Sequence, residues 1–574
     1  MYDPAGRRKN ANREDGTTWD YNYNSRSEIE GASKKTAAGT TVPGLGFRYS
    51  FDGIGNRLNT SVGSDLHLTE LSYTPNALNQ YSSLTHSGKF WSLVRSDAPV
   101  TATATTPAPG SASIAGITQV SNFYGAKVTV PNSSSGKFVK NTFLRNGVAV
   151  AGGIDTWTTA ATYSPIHDLD GNLTNDGRWL YSWDGESRLI SMTPTATAIA
   201  NGAPNIEVSF AYDYASRRIG KTVVDKRVIP NITRHFSCAY DGWNPVAEWE
   251  RTGTTLTLKH THLWGLDLGS SGTAEAGTSA NFQQAGGVAG LIASSYHNPS
   301  TRDHFIPGYD ANGNIIAWTS GTGALVKKID YDAFGNEVIA ENFGDVAKLP
   351  AFGFSTKIKD RETGLSYYGY RYYDPVTGRW LSRDPIEEEG GANLYVFLDN
   401  NGVDKWDWLG LLKDGDDFDS VKIKKMHIKW AVVFGFKAGD GYGHWWFEID
   451  GSESYGWWPA EGLNLAKTLR GVRGDLNGQT LFSGTPTTDP HHGDPAEENY
   501  SAKLNFGGVL GFFANKELEY GSGKGTKCEC ATCGEVKDCL SDFAKSYSGQ
   551  WSHPWGNSCH DFLVEALDAC CLED

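Results

Sequence analysis

Along most of this chain, short apolar strands alternate with compact polar turns, and one pattern recurs. An aromatic residue or His is followed by Asp, then by a turn bearing Gly or Asn, then by an apolar strand. Instances are Tyr2-Asp3-Pro4-Ala5-Gly6-Arg7, Phe51-Asp52-Gly53-Ile54-Gly55-Asn56-Arg57-Leu58 and His167-Asp168-Leu169-Asp170-Gly171-Asn172-Leu173. Trp183-Asp184-Gly185-Glu186-Ser187-Arg188-Leu189, Tyr309-Asp310-Ala311-Asn312-Gly313-Asn314-Ile315 and Tyr331-Asp332-Ala333-Phe334-Gly335-Asn336-Glu337 repeat it. Asp or Asn bonds the local backbone, and glycine takes positive φ, so each unit reads as a hairpin. The flanking aromatics pack on neighbouring strands. A single hairpin cannot bury its apolar face, so the units are expected to stack.

The pattern lapses twice. Residues 97–160 lack it and are rich in Ala, Thr, Ser and Gly, with a strand-like stretch at 126–130; they read as an inserted loop or small β module of unassigned role. After residue 411 the repeat stops altogether. Composition changes there too: seven of the eight cysteines lie beyond it, all but Cys238. Residues 412–574 carry 15 Lys+Arg against 25 Asp+Glu, so −10 of the chain's net −15 sits in that segment. A phosphate-gripping surface gathers positive charge, so this balance disfavours a nucleic-acid partner. No apolar run approaches the ~20 residues that span a bilayer, and the first residues carry no signal-peptide pattern.

These repeats resemble the YD repeats of Rhs proteins and of the C component of Tc toxins. Residues 366–411 sharpen the resemblance: Ser366-Tyr367-Tyr368-Gly369-Tyr370-Arg371-Tyr372-Tyr373-Asp374-Pro375, then Gly378-Arg379-Trp380-Leu381-Ser382-Arg383-Asp384-Pro385, Asn393-Leu394-Tyr395 and Asp407-Trp408-Leu409-Gly410-Leu411. They are similar to the Rhs core-associated region that closes the shell. The resemblance implies a mainly β YD-repeat shell, a partial β-cage for this length, followed by a small α+β papain-like domain. The domains expected are YD repeats over 1–96, the insert over 97–160, YD repeats over 161–365, a closing and self-cleavage region over 366–411, and a C-terminal toxin domain over 412–574. Because the chain begins inside a repeat, it is expected to be the C-terminal part of a larger product, or to have its wall completed by a partner.

In the families resembled, the chain cuts itself after the terminal Gly-Leu, here Gly410-Leu411. An aspartic mechanism is implied: two close carboxylates share one proton, one activating water while the other protonates the leaving group. Matching the motif residue by residue assigns Asp384 and Asp407 to the pair, with Arg383 holding one carboxylate ionised. Trp408 stands where the family often has Pro.

Beyond the cut, Met426 to Phe436 reads as a strand. His444-Trp445-Trp446-Phe447-Glu448-Ile449-Asp450, a polar turn 451–454 and Tyr455-Gly456-Trp457-Trp458-Pro459 read as a hairpin with His444 at its start. Near the end, Phe562, Leu563, Ala566 and Leu567 have helical spacing, with Asn557 or Ser558 as N-cap, which places Cys559 in the first turn. A helix N-terminus stabilises a thiolate, and an imidazole can exchange its proton. This His-then-Cys order resembles the circularly permuted NlpC/P60 group, the lecithin-retinol-acyltransferase-like thiol enzymes. The resemblance implies a cysteine hydrolase or acyltransferase on an amide or ester, with Cys559 as nucleophile, His444 as base and Glu461 as a candidate third residue. No cofactor is implied.

Other readings stay open. Cys528, Cys530, Cys533 and Cys539 have spacing that admits zinc, disulfides or free thiols. His491 and His492, with Asp489 and Asp494, form either a polar loop or the metal site of a nuclease tail. A non-enzymatic surface protein with a disulfide-stapled binding module is the remaining alternative. The toxin reading implies interbacterial competition by a secreted or cell-surface protein delivered to a target cell. Its implied partners are a cognate immunity protein, secretion machinery or the rest of the shell, and a protein, peptidoglycan or lipid substrate.

Overall fold

The computed structural model describes residues 1–411 apart from 64–68, 109, 151–154, 266–286, 300 and 408. Beyond 411 it describes 418–426, 444–449, 453–459, 472–477, 498–504, 543–545, 550–551 and 572–573, with a few single positions. The chain divides into two compact units, Met1–Asp414 and Gly415–Asp574. Among the described residues no helix is long and apolar enough to cross a membrane.

The first unit is an antiparallel meander. Strands from Asn10–Asn12 to Tyr81–His86 pair in chain order, and Thr162–Tyr163 completes an eight-stranded sheet. A fourteen-stranded sheet then runs, again in chain order, from Ile166–His167 to Glu337–Asn342. Side chains alternate as a half-buried strand requires: in Trp179–Trp183, Trp179 and Tyr181 are buried while Leu180 is exposed.

The repeat owes its Asp to a specific turn. Asp52 Oδ1 accepts from the N–H groups of Ile54, at 3.1 Å, and Asn56, at 2.8 Å, while Asn56 Nδ2 donates to Oδ2 at 2.9 Å. Gly55 sits at φ +86°, and the strand register shifts by a bulge at Ser50/Phe51. The residue four places after Asp thus gives both a backbone and a side-chain donor to one carboxylate. The same arrangement recurs at Asp168/Asn172, Asp310/Asn314 and Asp332/Asn336. Arginine supplies the side-chain donor at Asp3/Arg7, Asp184/Arg188 and Asp213/Arg217. Asn replaces Asp at Asn24 and Asn76, whose Oδ1 atoms take the same backbone N–H groups, from Glu28 and Gln80. Motif reading passed over those two turns and Asp213.

Residues 97–160 form strands, including Phe123–Thr129, paired to Lys89–Arg95, and Lys137–Arg145, paired to Thr101–Thr105 and Asp155–Thr158. They bury Val128, Val139 and Phe143 completely. The closing segment after 345 packs against both large sheets. Asp404 accepts from Arg8 N–H and Tyr23 Oη, and Arg379 donates to Asn56 Oδ1. Arg218 meets Asp360 at 2.6 Å, and Tyr395 Oη donates to the Gly171 carbonyl. Its aromatic centre holds Tyr373 and Phe397 with ring centroids 3.8 Å apart.

The second unit contains a seven-stranded antiparallel sheet. Its order is Gln550–Trp551, Val472–Leu476, Glu453–Pro459, His444–Ile449, Phe418–Met426, Glu498–Leu504, Leu572–Glu573. The hairpin read from sequence is present, with Ile449 opposite Glu453. The strand before it ends at Met426 rather than beginning there; the alternation Val421-Lys422-Ile423-Lys424 was its signal. The rest of that expected run, 427–436, and the helix expected after Cys559 lie outside the described residues.

Candidate functional site

The chain end of the first unit is folded around a buried arginine. Tyr372–Asp374 and its neighbours deliver Arg371 into the aromatic centre, where its guanidinium lies 4.2 Å from the Trp380 ring centroid. A cation buried to 3% exposure of its side chain needs anions beside it. Asp384 Oδ2 supplies one, 2.6 Å from Nη2. Asp407 Oδ2 lies 4.0 Å from the same nitrogen. Asp384 is held by its own loop: its Oδ1 accepts the Ile386 N–H at 3.2 Å, and its N–H donates to Leu394 O.

Asp407 shapes the segment that follows. Its Oδ1 accepts the N–H groups of Leu409 at 3.0 Å, Gly410 at 2.6 Å and Leu411 at 3.4 Å. This tight fold requires Gly410 at φ +76°, where a Cβ would come within 3.2 Å of Arg371 and Tyr368. Tyr370 N–H donates to Leu409 O at 2.9 Å. Arg371 takes the next two carbonyls: Nε donates to Gly410 O, and Nη2 donates to Leu411 O at 3.0 Å. The Leu411 carbonyl therefore faces a cation that also binds a carboxylate.

Burial pushes the Asp384 carboxyl up to about 7, helped by the Asp407 charge and opposed by Arg371. Asp407 is also raised by burial, against Arg371 and the Gly410 N–H. Arg371 itself is lowered by burial, with both carboxylates acting in the opposite direction. Two carboxyls with raised proton affinity flanking one arginine, beside a main-chain carbonyl, is a constellation suited to acid–base chemistry on that carbonyl.

The structure thus brings together Asp384, Asp407 and Leu411, the residues sequence assigned to the cut. The arginine among them is Arg371, not Arg383. Arg383 directs its side chain toward Gly171, at which a Cβ would lie 2.5 Å from its Nε. Arg371 stands in the aromatic run 367–373, and its signal was a lone cation among buried tyrosines.

For the second unit, His444 opens the strand His444–Ile449 and pairs with Met426. Cys559, Glu461, His491, His492, Asp494, Cys528, Cys530, Cys533 and Cys539 lie outside the described residues. Asp489 is buried, and its N–H donates to Ser454 Oγ at 2.8 Å.

The first unit is thus a repeat-built antiparallel β structure closed by an aromatic block around Arg371. Residues 294–403 match the Teneurin YD-shell family. The chain is 31% identical over 282 residues to the tRNA nuclease WapA of Bacillus subtilis strain 168, covering 48% of this chain and 10% of that protein. It is 30% identical over 255 residues to the double-stranded DNA deaminase toxin A of Burkholderia cenocepacia, covering 42% and 17%. It is 29% identical over 231 residues to toxin subunit YenC1 of Yersinia entomophaga, covering 39% and 21%. The chain thus spans about a fifth or less of these relatives' length. A solved structure, TcdB2-TccC3-Cdc42, aligns with TM-score 0.36 and 17% identity over 72% of this chain and 19% of that one.

Proposed function

We propose that this chain is a self-cleaving YD-shell toxin polypeptide that severs itself after Leu411 and frees residues 412–574. The observation that carries the reading is the Leu411 carbonyl held by Arg371 between two buried carboxyls. Arg371 polarises that carbonyl and stabilises the negative charge it gains. Asp407, oriented by its main-chain N–H bonds, takes a proton from the attacking water. Water oxygen bonds to the Leu411 carbonyl carbon. The bond to the Leu412 nitrogen breaks as Asp384, whose proton affinity burial raises, gives that nitrogen its proton from its protonated form.

The experiment is electrophoresis and N-terminal sequencing of purified full-length protein beside Asp407→Asn. Two fragments with a new terminus at Leu412, and an intact Asp407→Asn chain, are the expected result. Folded wild-type protein that stays in one piece rules the reading out.

The freed segment is the cargo of a protein delivered into a competing cell, with a cognate immunity protein and further shell components as partners. Its chemistry is read from residues alone, as a thiol hydrolase of amides or esters using Cys559 and His444, with Glu461 as third member. The nuclease and deaminase names of two relatives supply the competing reading, against which the segment's net −10 weighs. Expressing residues 412–574 with Cys559→Ala separates them: retained toxicity in that variant removes the thiol reading.

A further inference from the structure

We propose that self-cleavage waits for the eight-stranded sheet to close on residues 393–405, with Asn400 and Asp404 as positioning residues for Asp407. The inference rests on the cleavage reading and adds the condition under which the centre acts.

The segment that delivers Asp407 is held from the far end of the first unit. Asn393 Nδ2 donates to Ile54 O at 3.2 Å and Asn56 Oδ1 at 2.9 Å. Asn400 Nδ2 donates to Glu28 Oε1 at 3.0 Å and Gly55 O at 2.8 Å. Asp404 accepts from Arg8 N–H at 3.0 Å and from Tyr23 Oη at 2.8 Å. Glu28 and Asn56 stand four places after Asn24 and Asp52, so the place that closes a repeat turn also receives the closing segment. From the fourteen-stranded sheet, Asn312 holds the carbonyls of Gly402 and Lys405, at 3.1 Å each. Both carboxyls of the centre depend on this segment. Asp404 lies three residues before Asp407, and the carbonyl of Leu394, next to Asn393, accepts the Asp384 N–H.

The segment does not hold its course unaided. Leu398, Asp399 and Asn400 are three successive non-glycine residues at φ +51°, +47° and +58°. Side chains of L residues clash with the backbone in that region, so a run of three is not self-sustaining. Such strain persists where surrounding contacts over-determine it. The two bonds of Asn400 to the eight-stranded sheet supply that constraint, and Asn400, Asn393, Glu28 and Asn56 are all buried. A buried polar group left unpaired is costly, so the joint forms as a whole. Its partners lie 337 to 396 positions apart in sequence. Contacts so distant form late, because the chain between them must first be ordered. A chain whose eight-stranded sheet has not closed therefore leaves Asp407 unplaced against Arg371, and the bond after Leu411 is spared.

Cell-free synthesis of the full chain, followed by electrophoresis of timed samples, tests this, with melting curves to show that each variant is folded. Asp404→Ala and Asn400→Gly should cleave about tenfold to 100-fold more slowly than wild type, the usual range for a displaced catalytic group. Glycine suits the positive φ at 400, so that variant removes the grip without adding strain. Asp404→Asn should cleave near the wild-type rate. Its amide keeps an acceptor for Arg8 N–H and gives a donor to Tyr23 Oη, whose own hydrogen then goes to the Arg8 carbonyl 2.8 Å away. Asp184→Ala, which removes three turn bonds in the fourteen-stranded sheet, should lower the melting temperature and leave the rate unchanged. Tyr23→Phe, which lacks only the hydroxyl, takes the place of Asp404→Ala if that chain does not fold, with the same slowing expected. A wild-type rate in folded Asp404→Ala or Asn400→Gly overturns the proposal, and so does equal slowing in Asp184→Ala. A wild-type chain that stays whole overturns the cleavage reading itself, and this inference with it.

Discussion

Arg371 Nη2 meets Asp384 Oδ2 at 2.6 Å and, from the same nitrogen, donates to the Leu411 carbonyl at 3.0 Å. Nε of that guanidinium takes the Gly410 carbonyl. A lysine ammonium has no planar fork to span these acceptors. Arg371→Lys is therefore expected to slow self-cleavage about 100-fold, the usual loss for one oxyanion donor, while keeping a positive charge in the site. A time course of fragment appearance after refolding measures it; wild-type speed would show that charge alone suffices.

The pH dependence has a definite sign. Asp384 is ordinarily a carboxyl of 3.8, and burial lifts it to about 7 in the shell. Between those limits the folded chain holds a proton that the unfolded chain has released. The group's stabilising contribution is thus complete below the ordinary carboxylate range and is lost as pH rises through about 7. On the proposed mechanism self-cleavage draws on the same proton, so it should slow over that upper range. Asp384→Asn should abolish cleavage and flatten this part of the melting-temperature profile. A wild-type cleavage rate that climbs through and beyond neutrality would contradict the assignment of Asp384 as the acid.

Sequence exposed the repeat because its turn chemistry is local. Asp52, Gly55 and Asn56 are neighbours in the chain, and the bonds they make are with one another. Asn24 and Asn76 build the same turn without the aspartate that flags it, so the pattern passed them by. The site was half legible. Asp384 and Asp407 stand in recognisable motifs, but the choice of arginine is made by packing. Arg383 adjoins Asp384 in sequence and Arg371 stands further off, and only the fold shows that Arg371 enters the aromatic centre.

The repeat turns can be tested at Asp52. Asp52→Ala removes the acceptor of two backbone N–H groups and of Asn56 Nδ2, and should cost about 1–3 kcal/mol. Asp52→Asn should cost less than Asp52→Ala, since an amide oxygen keeps the two backbone N–H bonds as at Asn24 and Asn76, while its NH2 group loses the bond from Asn56 Nδ2. Urea titration of both variants gives the comparison. Equal losses would mean that the carboxylate charge, rather than the acceptor geometry, holds the turn.

Asp330 joins the first large sheet to the end of the second. It accepts from Trp19 Nε1 at 2.9 Å and Arg13 Nη2 at 3.1 Å, and it pairs with Lys34, whose side chain is 1% exposed. Asp330→Asn leaves that ammonium without its anion and should destabilise the shell by about 3–5 kcal/mol. Replacing Lys34 by Met in the same chain should recover part of the loss. Denaturant midpoints for the single and double variants measure the coupling.

Arg371 holds the Gly410 carbonyl through Nε and, through Nη2, the Leu411 carbonyl. On the cleavage reading, that oxygen becomes part of a new terminal carboxylate, already lying against a guanidinium and still tethered through Leu409 and Gly410. On that reading, the severed end stays bound at the centre that made it. Such a machine works once: each molecule is its own sole substrate, and its own product retires it.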